Sequence, residues 1–140
     1  VKGVWADMDW GIGGAAVSDF RPTQTSNEKW HRGEVPSAVE LTENPDILKG
    51  MGVAKQPHQT LVGFALETDS GEQSAMGKLE RKNLDAIVLN TLMDDGAGFG
   101  HDTNKVGVLF RDGKSVSFEL KSKYEVALDL VELWRTTIPP

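Results

Sequence analysis

The segment between residues 60 and 89 constrains the fold more than any other part of the chain. Thr60–Leu66 is a run of β-branched, aromatic and aliphatic residues between turn signals, which predicts a central strand. Residues 72–83 have their apolar side chains on one side of a predicted helix. Asp85–Leu89 then predicts a second buried strand, and a strand, a helix and a strand at this spacing indicate a parallel βαβ unit.

The C-terminal part of the chain predicts antiparallel structure. Lys105–Arg111 and Lys114–Leu120 flank Asp112-Gly113, a pair of residues typical of a hairpin turn. Ser122 and Glu125 have the spacing of a capping box, which predicts the start of a final helix. That helix carries its apolar residues on one face: Val126, Leu130, Val131 and Trp134. We therefore predict an α/β fold with a Rossmann-like, mostly parallel sheet, helices on both faces, and a C-terminal antiparallel hairpin plus helix.

The N-terminal third predicts shorter elements. They are the end of a helix at residues 1–5, a Gly-rich buried strand at Trp10–Ala16, a long exposed loop at 18–36, and a short strand at Ser37–Leu41. Asn44 is a good N-cap, Pro45 suits the first helical position, and Asp46 favours the positive end of a helix. We expect that helix to run to about Ala54. The prediction is one domain over residues 1–140, truncated at its N-terminus because it opens partway through an element.

Composition excludes several classes of protein. Of the 140 residues, 39% are hydrophobic and 26% are charged, which is typical of a globular protein. No apolar run approaches the ~20 residues that a membrane helix needs, so no membrane association is expected. The chain has no cysteine, which excludes disulfides and zinc–thiolate sites and agrees with a reducing compartment. A net charge of −6 argues against nucleic-acid binding, although local lysines can still attract a small anion.

Several chemical motifs are missing. There is no Gly-x-x-x-x-Gly-Lys loop, so a P-loop enzyme is not expected. Ser18 lacks the Gly-x-Ser-x-Gly context of a hydrolase nucleophile. His31, His58 and His101 have no metal-ligand spacing, and the Asp/Gly-rich loop before the hairpin lacks the pattern of an EF-hand. We therefore predict no protein-held metal.

One feature suggests an anion site, and it has a plainer explanation. Lys78 and Lys82 are four residues apart and share one helical face, where like charges disfavour a helix unless an anion lies between them. A solvated helix surface would explain them equally well. Lys29 lies in a long polar loop, where a lysine is ordinarily a surface residue. Phe64 could be an ordinary core side chain of its strand.

An ordered series of segments then identifies a family. The segments are Gly13–Pro22 (GGAAVSDFRP), Asn44–Leu48 (NPDIL), Leu61–Thr68 (LVGFALET), Lys78–Asp85 (KLERKNLD) and Gly96–Gly100 (GAGFG). Their order and spacing closely resemble the C-terminal half of the phosphopantothenate–cysteine ligase family, also called phosphopantothenoylcysteine synthetase. In bacteria that ligase is commonly fused behind a flavin-dependent decarboxylase. The resemblance extends from about Gly11 to Leu133.

The resemblance implies an enzyme of coenzyme A biosynthesis. Such a ligase would use CTP to convert 4′-phosphopantothenate into an acyl-cytidylate, which the amine of L-cysteine would then attack. Mg²⁺ would screen the phosphates of the nucleotide. Members of the family are homodimers, so the resemblance also implies a dimeric, cytoplasmic protein, with a flavin-dependent decarboxylase as a fused or separate partner.

The same resemblance implies roles for individual residues. The family's Lys-x-Lys-Lys motif reads Lys29-Trp30-His31-Arg32 here, and its first lysine, Lys29, would be catalytic by neutralising charge at the α-phosphate. The implied nucleotide-binding residues are Gly13, Gly14, Ala15, Asp19, Asn44, Pro45, Asp46, Ile47, Phe64, Lys78 and Lys82. Asp19 could instead cap a turn, and Asn44 to Ile47 could be wholly a helix cap.

One departure from the family matters for activity. The family's N-terminal half supplies a Gly-rich first strand and loop and an asparagine that contacts the acyl-nucleotide, and this chain has neither. A ligase domain that is inactive alone is therefore expected. A non-catalytic nucleotide-binding or assembly module remains the alternative, while a flavin-binding redox domain has no residue support.

Overall fold

The structure is a computed structural model of the chain. It describes residues 1–26, 28–31, 38–67, 71–91 and 102–137. The chain forms two compact units, one of residues 1–14 with 47–140 and one of residues 15–46. The prediction of a single domain over residues 1–140 stays a prediction.

The described residues form four helices and nine strands. In order they are α1 (Lys2–Trp5), β1 (Trp10–Gly13), β2 (Phe20–Pro22), β3 (Leu41–Glu43), α2 (Ile47–Ala54), β4 (Thr60–Glu67), α3 (Gly71–Arg81), β5 (Ala86–Thr91), β6 (Thr103–Asn104), β7 (Val106–Phe110), β8 (Ser115–Ser117), β9 (Lys121–Ser122) and α4 (Lys123–Thr137). Strands β2 and β3 belong to the smaller unit, and the other elements belong to the larger unit.

The larger unit is built on a five-stranded sheet in the order β1-β4-β5-β7-β8. Strand β4 is parallel to both β1 and β5, and α3 makes the crossover between β4 and β5. Strand β7 is antiparallel to β5 and forms a hairpin with β8. The predicted βαβ unit and the C-terminal antiparallel hairpin are both confirmed.

Helices cover both faces of this sheet, as predicted. On one face, Val126, Leu130 and Trp134 of α4 pack against valines of the central strands, and the Trp134 ring meets the edge of Phe110 at 6.0 Å. On the other face, buried residues of α1 and α3 pack against Leu61, Ile87 and Leu109. Successive strand residues point to opposite faces, so each strand contributes to both cores. Val131, predicted on the buried face of the last helix, is instead 61% exposed.

The C-terminal turn and cap follow their sequence signals. Gly113 has φ +84° and its N–H donates to the Phe110 carbonyl at 3.0 Å, while the Phe110 N–H donates to the Lys114 carbonyl at 2.9 Å. This is a type I turn closed by a left-handed glycine. At the start of α4, the Ser122 N–H donates to Glu125 Oε2 at 3.1 Å and the Glu125 N–H donates to Ser122 Oγ at 3.2 Å. The Ser122 hydroxyl bond is the main reason that the pKa of Glu125 is lowered.

Three element boundaries differ from prediction. The strand predicted to reach Ala16 ends at Gly13, and Phe20–Pro22 forms a strand inside the expected loop. The strand expected at Ser37–Leu41 is instead Leu41–Glu43, and Ser37 lies outside the described residues. The two shifts at β2 and β3 have one cause: these strands pair with each other, a long-range pairing that no local pattern reveals.

The first helical residue of α2 is Ile47, not Pro45. Asn44, the predicted cap, instead uses its side chain within the smaller unit: its Nδ2 donates to the Ser18 carbonyl at 2.7 Å. The competing hydrogen bond explains why the helix begins later than the cap signal predicts.

Candidate functional site

At their carboxyl ends, the parallel strands stop at different levels of the sheet. The pairing of β1 with β4 stops at Gly13 opposite Gly63, whereas the pairing of β4 with β5 continues to Glu67 opposite Thr91. Strand β4 therefore extends four residues past the last pair with β1. Ligands of open α/β sheets bind at this end of the strands.

Phe64 is the first residue of β4 beyond that step. Its side chain is 41% exposed, so it is not a closed core residue. A Cβ placed on Gly14 would lie 3.8 Å from Phe64 Cδ2, which means that the chain leaving β1 passes beside the ring at van der Waals distance. The structure thus brings together two predicted nucleotide-binding residues and leaves an aromatic surface open at the expected end of the sheet.

Helix α2 packs against Gly13 so closely that only glycine fits at this position. A Cβ at this position would lie 2.5 Å from Leu48 Cδ2 of α2, a distance too short for two carbon atoms. Its missing side chain therefore lets α2 lie close to the end of β1. Ile47, the first residue of the same helix, is 43% exposed.

Lys78 and Lys82 lie at the opposite end of the crossover. The Lys82 N–H donates to the Lys78 carbonyl at 3.0 Å, so the two lysines do share a helical face, as their spacing predicts. Both are half-buried, although Glu80 and Arg81 between them are exposed. The lysine pair is therefore less exposed than Glu80 and Arg81. A crossover helix runs antiparallel to its strands, which carries this pair toward the amino ends of β4 and β5, away from Phe64.

A set of polar side chains joins the elements at the amino ends of the strands. Asn83, directly after the lysine pair, donates through Nδ2 to the Gly52 carbonyl of α2 at 2.7 Å. Arg111, at the end of β7, donates through Nη2 to Asn83 Oδ1 at 2.6 Å and through Nε to the Leu84 carbonyl at 2.9 Å. We call Asn83, Gly52 and Arg111 the helix clamp, because they connect α2 to the end of α3.

An ion pair lies beside the helix clamp. Lys55 Nζ is 2.6 Å and 2.7 Å from the two carboxylate oxygens of Asp85, and Asp85 Oδ2 also accepts the Leu61 N–H at 2.7 Å. Asp85 and Arg111 line a hollow of about 440 Å³ at this end of the sheet. The hollow is not at the carboxyl ends of the strands, where open α/β sheets bind their ligands.

The smaller unit holds two other predicted residues together. Its strands β2 and β3 pair antiparallel, with Arg21 opposite Thr42. The Asn44 N–H donates to the Asp19 carbonyl at 2.7 Å, and Arg21 Nη1 donates to Asn44 Oδ1 at 2.9 Å. Asn44 therefore fixes the turn that carries Asp19, whose side chain is exposed.

The remaining predicted residues are exposed or lie outside the described residues. Ala15, Lys29, Pro45 and Asp46 are exposed. Arg32, the last position of the altered lysine motif, and the segment Gly96–Gly100 are outside the described residues.

Sequence reasoning missed the helix clamp and the ion pair. Their partners are about 30 positions apart in the sequence, so no local spacing points to them. Within the described ranges, no three His, Asp or Glu side chains come together in a group that could hold a metal ion. No helix in the same ranges is long and apolar enough to cross a bilayer.

Comparison with known proteins identifies relatives over nearly the whole chain. Residues 1–137 match the family described as DNA/pantothenate metabolism flavoprotein C-terminal domain. The coenzyme A biosynthesis bifunctional protein CoaBC of Bacillus subtilis is 40% identical over 132 residues, which are 94% of this chain and 32% of that protein. A cysteine/cysteine sulfinic acid decarboxylase from an unknown prokaryotic organism is 47% identical over 125 residues, which are 89% of this chain and 35% of that protein.

A solved structure supports the same assignment. The crystal structure of the C-terminal domain of CoaBC superposes with a TM-score of 0.77 and 34% identity, covering 99% of this chain and 61% of that one. This chain spans about a third of the length of the two curated relatives, so their names describe proteins of which it matches one part. The chain belongs to the family of DNA/pantothenate metabolism flavoprotein C-terminal domains and is homologous to the C-terminal part of CoaBC.

Proposed function

We propose that this domain takes part in the ligation of 4′-phosphopantothenate to L-cysteine in cytoplasmic coenzyme A synthesis, with CTP as the activating nucleotide. The observation that carries the proposal is the 34% identity, over 99% of the chain, with the C-terminal domain of CoaBC. The open aromatic surface of Phe64 is what a base would require. The lysine pair lies toward the amino ends of the strands, and only the family resemblance assigns it to the triphosphate.

The proposed reaction has two steps. The carboxylate of 4′-phosphopantothenate attacks the α-phosphorus of CTP, forming an acyl-cytidylate and releasing pyrophosphate. The amine of cysteine then attacks the acyl carbon, forming the amide and releasing CMP. Neither step needs a covalent bond to the protein, so catalysis would rest on positioning and on charge.

We assign Lys29 the role of neutralising the charge that develops at the α-phosphate. Removing such a contact commonly raises the barrier by about 2–4 kcal/mol. Lys78 and Lys82 would bind the triphosphate, while Phe64, Gly14 and Ile47 would contact the base. Gly13, Ala15, Asp19 and the residues from Asn44 to Asp46 would complete the nucleotide site.

Mg²⁺ would accompany the nucleotide. The described residues contain no group of three carboxylate or imidazole side chains, so they do not form a protein cage for the ion. Mg²⁺ commonly binds through substrate phosphates and water, which fits this arrangement.

We also propose that the protein works as a homodimer. On the β2–β3 ribbon, Phe20, Pro22 and Leu41 lie on one face by register, and all three are exposed. A two-stranded ribbon is marginally stable alone. A second copy of the chain that covers this apolar face would stabilise it.

The test is ligase turnover by the full-length protein with CTP, 4′-phosphopantothenate and cysteine. We expect Lys29→Ala to lower kcat about 30- to 1,000-fold, and Lys78→Ala or Lys82→Ala to weaken CTP binding measured by calorimetry. Lys114→Ala is the matched control, because that lysine is 79% exposed on the hairpin turn and pairs with Asp112. Binding of FMN without binding of CTP would refute the proposal.

A second candidate is a non-catalytic nucleotide-binding or assembly module. The replacement of two lysines in the lysine motif by His31 and Arg32 favours it. CTP binding with no turnover, in the full-length protein supplied with both substrates, would favour this candidate over the ligase.

A further inference from the structure

The helix clamp begins with an unusual backbone conformation at Asn83. This residue has φ +54°, in the left-handed region that non-glycine residues rarely adopt. The Leu84 N–H donates to the Leu79 carbonyl at 2.9 Å and the Asn83 N–H donates to the Glu80 carbonyl at 3.1 Å, which together form a Schellman motif at the end of α3. Glycine adopts this conformation without strain. Asparagine is also found at this position of the motif.

What the asparagine adds is its amide side chain, and both ends of that amide are bonded. Nδ2 donates to the Gly52 carbonyl of α2, and Oδ1 accepts from Arg111 at the end of β7. The amide thus links the ends of two helices and a strand at one point. Because Arg111 also bonds the Leu84 carbonyl, the turn that follows the lysine pair is held on both sides.

A steric contact supplements these hydrogen bonds. A Cβ added to Gly52 would overlap the carbonyl oxygen of Lys82, so the backbones of α2 and the end of α3 touch at this position. Gly52 is buried within α2. The distance between the two helices is therefore fixed both by the amide of Asn83 and by direct backbone contact.

We propose that Asn83 is a positioning residue for the nucleotide, an inference that rests on the proposed function. Helix α2 begins at Ile47, assigned to the base, and α3 carries Lys78 and Lys82, assigned to the phosphates. Gly52 is five residues from Ile47, about 7.5 Å along a rigid helix. The clamp joins the C-terminal part of α2 to the end of α3 that carries the lysine pair. It thus sets the distance between Ile47 and the lysine pair, and a nucleotide that contacts both needs that distance.

The decisive variant is Asn83→Gly in the full-length protein. Glycine keeps the left-handed turn and removes only the two amide hydrogen bonds. We expect the Kd for CTP to rise about tenfold, since two hydrogen bonds that fix the helix spacing are lost, while kcat at saturating CTP stays near the wild-type value. Gly52→Ala separates the same helices from the other side and should also raise the Kd for CTP.

The control is Ser122→Ala, which removes the N-cap of α4 and changes no residue of the helix clamp. It lowers stability without a change in helix spacing, so its Kd for CTP should stay within about twofold of wild type. Equal Kd values in Asn83→Gly and Ser122→Ala would show that Asn83 serves stability alone and would overturn the inference. A wild-type protein that does not bind CTP would overturn the proposed function and this inference with it, whereas normal CTP binding by Asn83→Gly would overturn the inference alone.

Discussion

Replacing Asp85 by asparagine should expose how strongly the ion pair with Lys55 holds the amino ends of the strands. Lys55 reaches both carboxylate oxygens within 2.7 Å, and its side chain is 10% exposed against 28% for Asp85. The third bond of Asp85, from the Leu61 N–H, secures the start of β4. An asparagine side chain would keep the shape and an acceptor for Leu61, so the variant removes little except the charge.

The magnitude follows from the burial of the two groups. Removing one partner of a buried ion pair costs about 3–5 kcal/mol, because the other charge is left without compensation. Water reaches part of Asp85, so we expect the lower side of that range, about 3 kcal/mol, for Asp85→Asn. Lys55→Met leaves the largely buried Asp85 carboxylate without its counter-charge, and should also cost about 3 kcal/mol. The double variant leaves no unpaired charge and should lose no more than either single variant, about 3 kcal/mol, which gives a coupling energy of about 3 kcal/mol.

Urea denaturation of the wild type, both single variants and the double variant measures this cycle. Asp85→Asn alone should lower the melting temperature by about 9–12 °C for a chain of this size. Free energies of unfolding that simply add in the double variant would refute the reasoning, because the loss would then come from each side chain separately.

Three further predictions concern single side chains. Asn90→Leu should stabilise the protein by up to about 1 kcal/mol, because the buried Oδ1 of Asn90 has no hydrogen-bond partner within the described part of the chain; a lower melting temperature would contradict this. Ser122→Ala should raise the pKa of Glu125 toward its ordinary value in an NMR titration, because the Ser122 hydroxyl bond is the main cause of its lowering. A lowered folded-state pKa means that Glu125 stabilises the fold above its unfolded pKa and that this contribution is lost as pH falls through the folded pKa, so an unchanged acid transition in Ser122→Ala would argue against the cap. Phe64→Ala should weaken CTP binding about tenfold with little loss of stability, since the ring is 41% exposed; calorimetry and thermal melting separate the two effects.

The sequence predicted those elements whose signal is local. The strand at residues 60–67 and helix α3 follow from residue type and periodicity, and the caps at Ser122 and Gly113 follow from fixed short spacings. The same local reasoning was wrong at Asn44, where a long-range hydrogen bond to Ser18 competes with helix capping.

The residues of the candidate site were predicted only from the resemblance to the ligase family, whose motifs occur here in the same order. The shared helical face of Lys78 and Lys82 follows from their spacing. The helix clamp could not be predicted, because Asn83 meets Gly52 across 31 positions and the need for a left-handed residue appears only once α3 ends. At Gly13 the structure adds a reason that the sequence did not suggest. The sequence analysis places this glycine in the nucleotide site, and the structure shows that a side chain there would also collide with Leu48.

The unequal ends of β1 and β4 have a consequence for how a base would be recognised. From Phe64 to Glu67, one edge of β4 lies beyond the last residue that β1 pairs with, and no described strand pairs with that edge. A flat ring stacked on Phe64 could then bond peptide groups of this edge. Peptide groups are the same whatever side chains they carry. The selectivity for one nucleobase would then depend on the residue at which β1 ends. Lengthening β1 by two residues would be expected to abolish this selectivity.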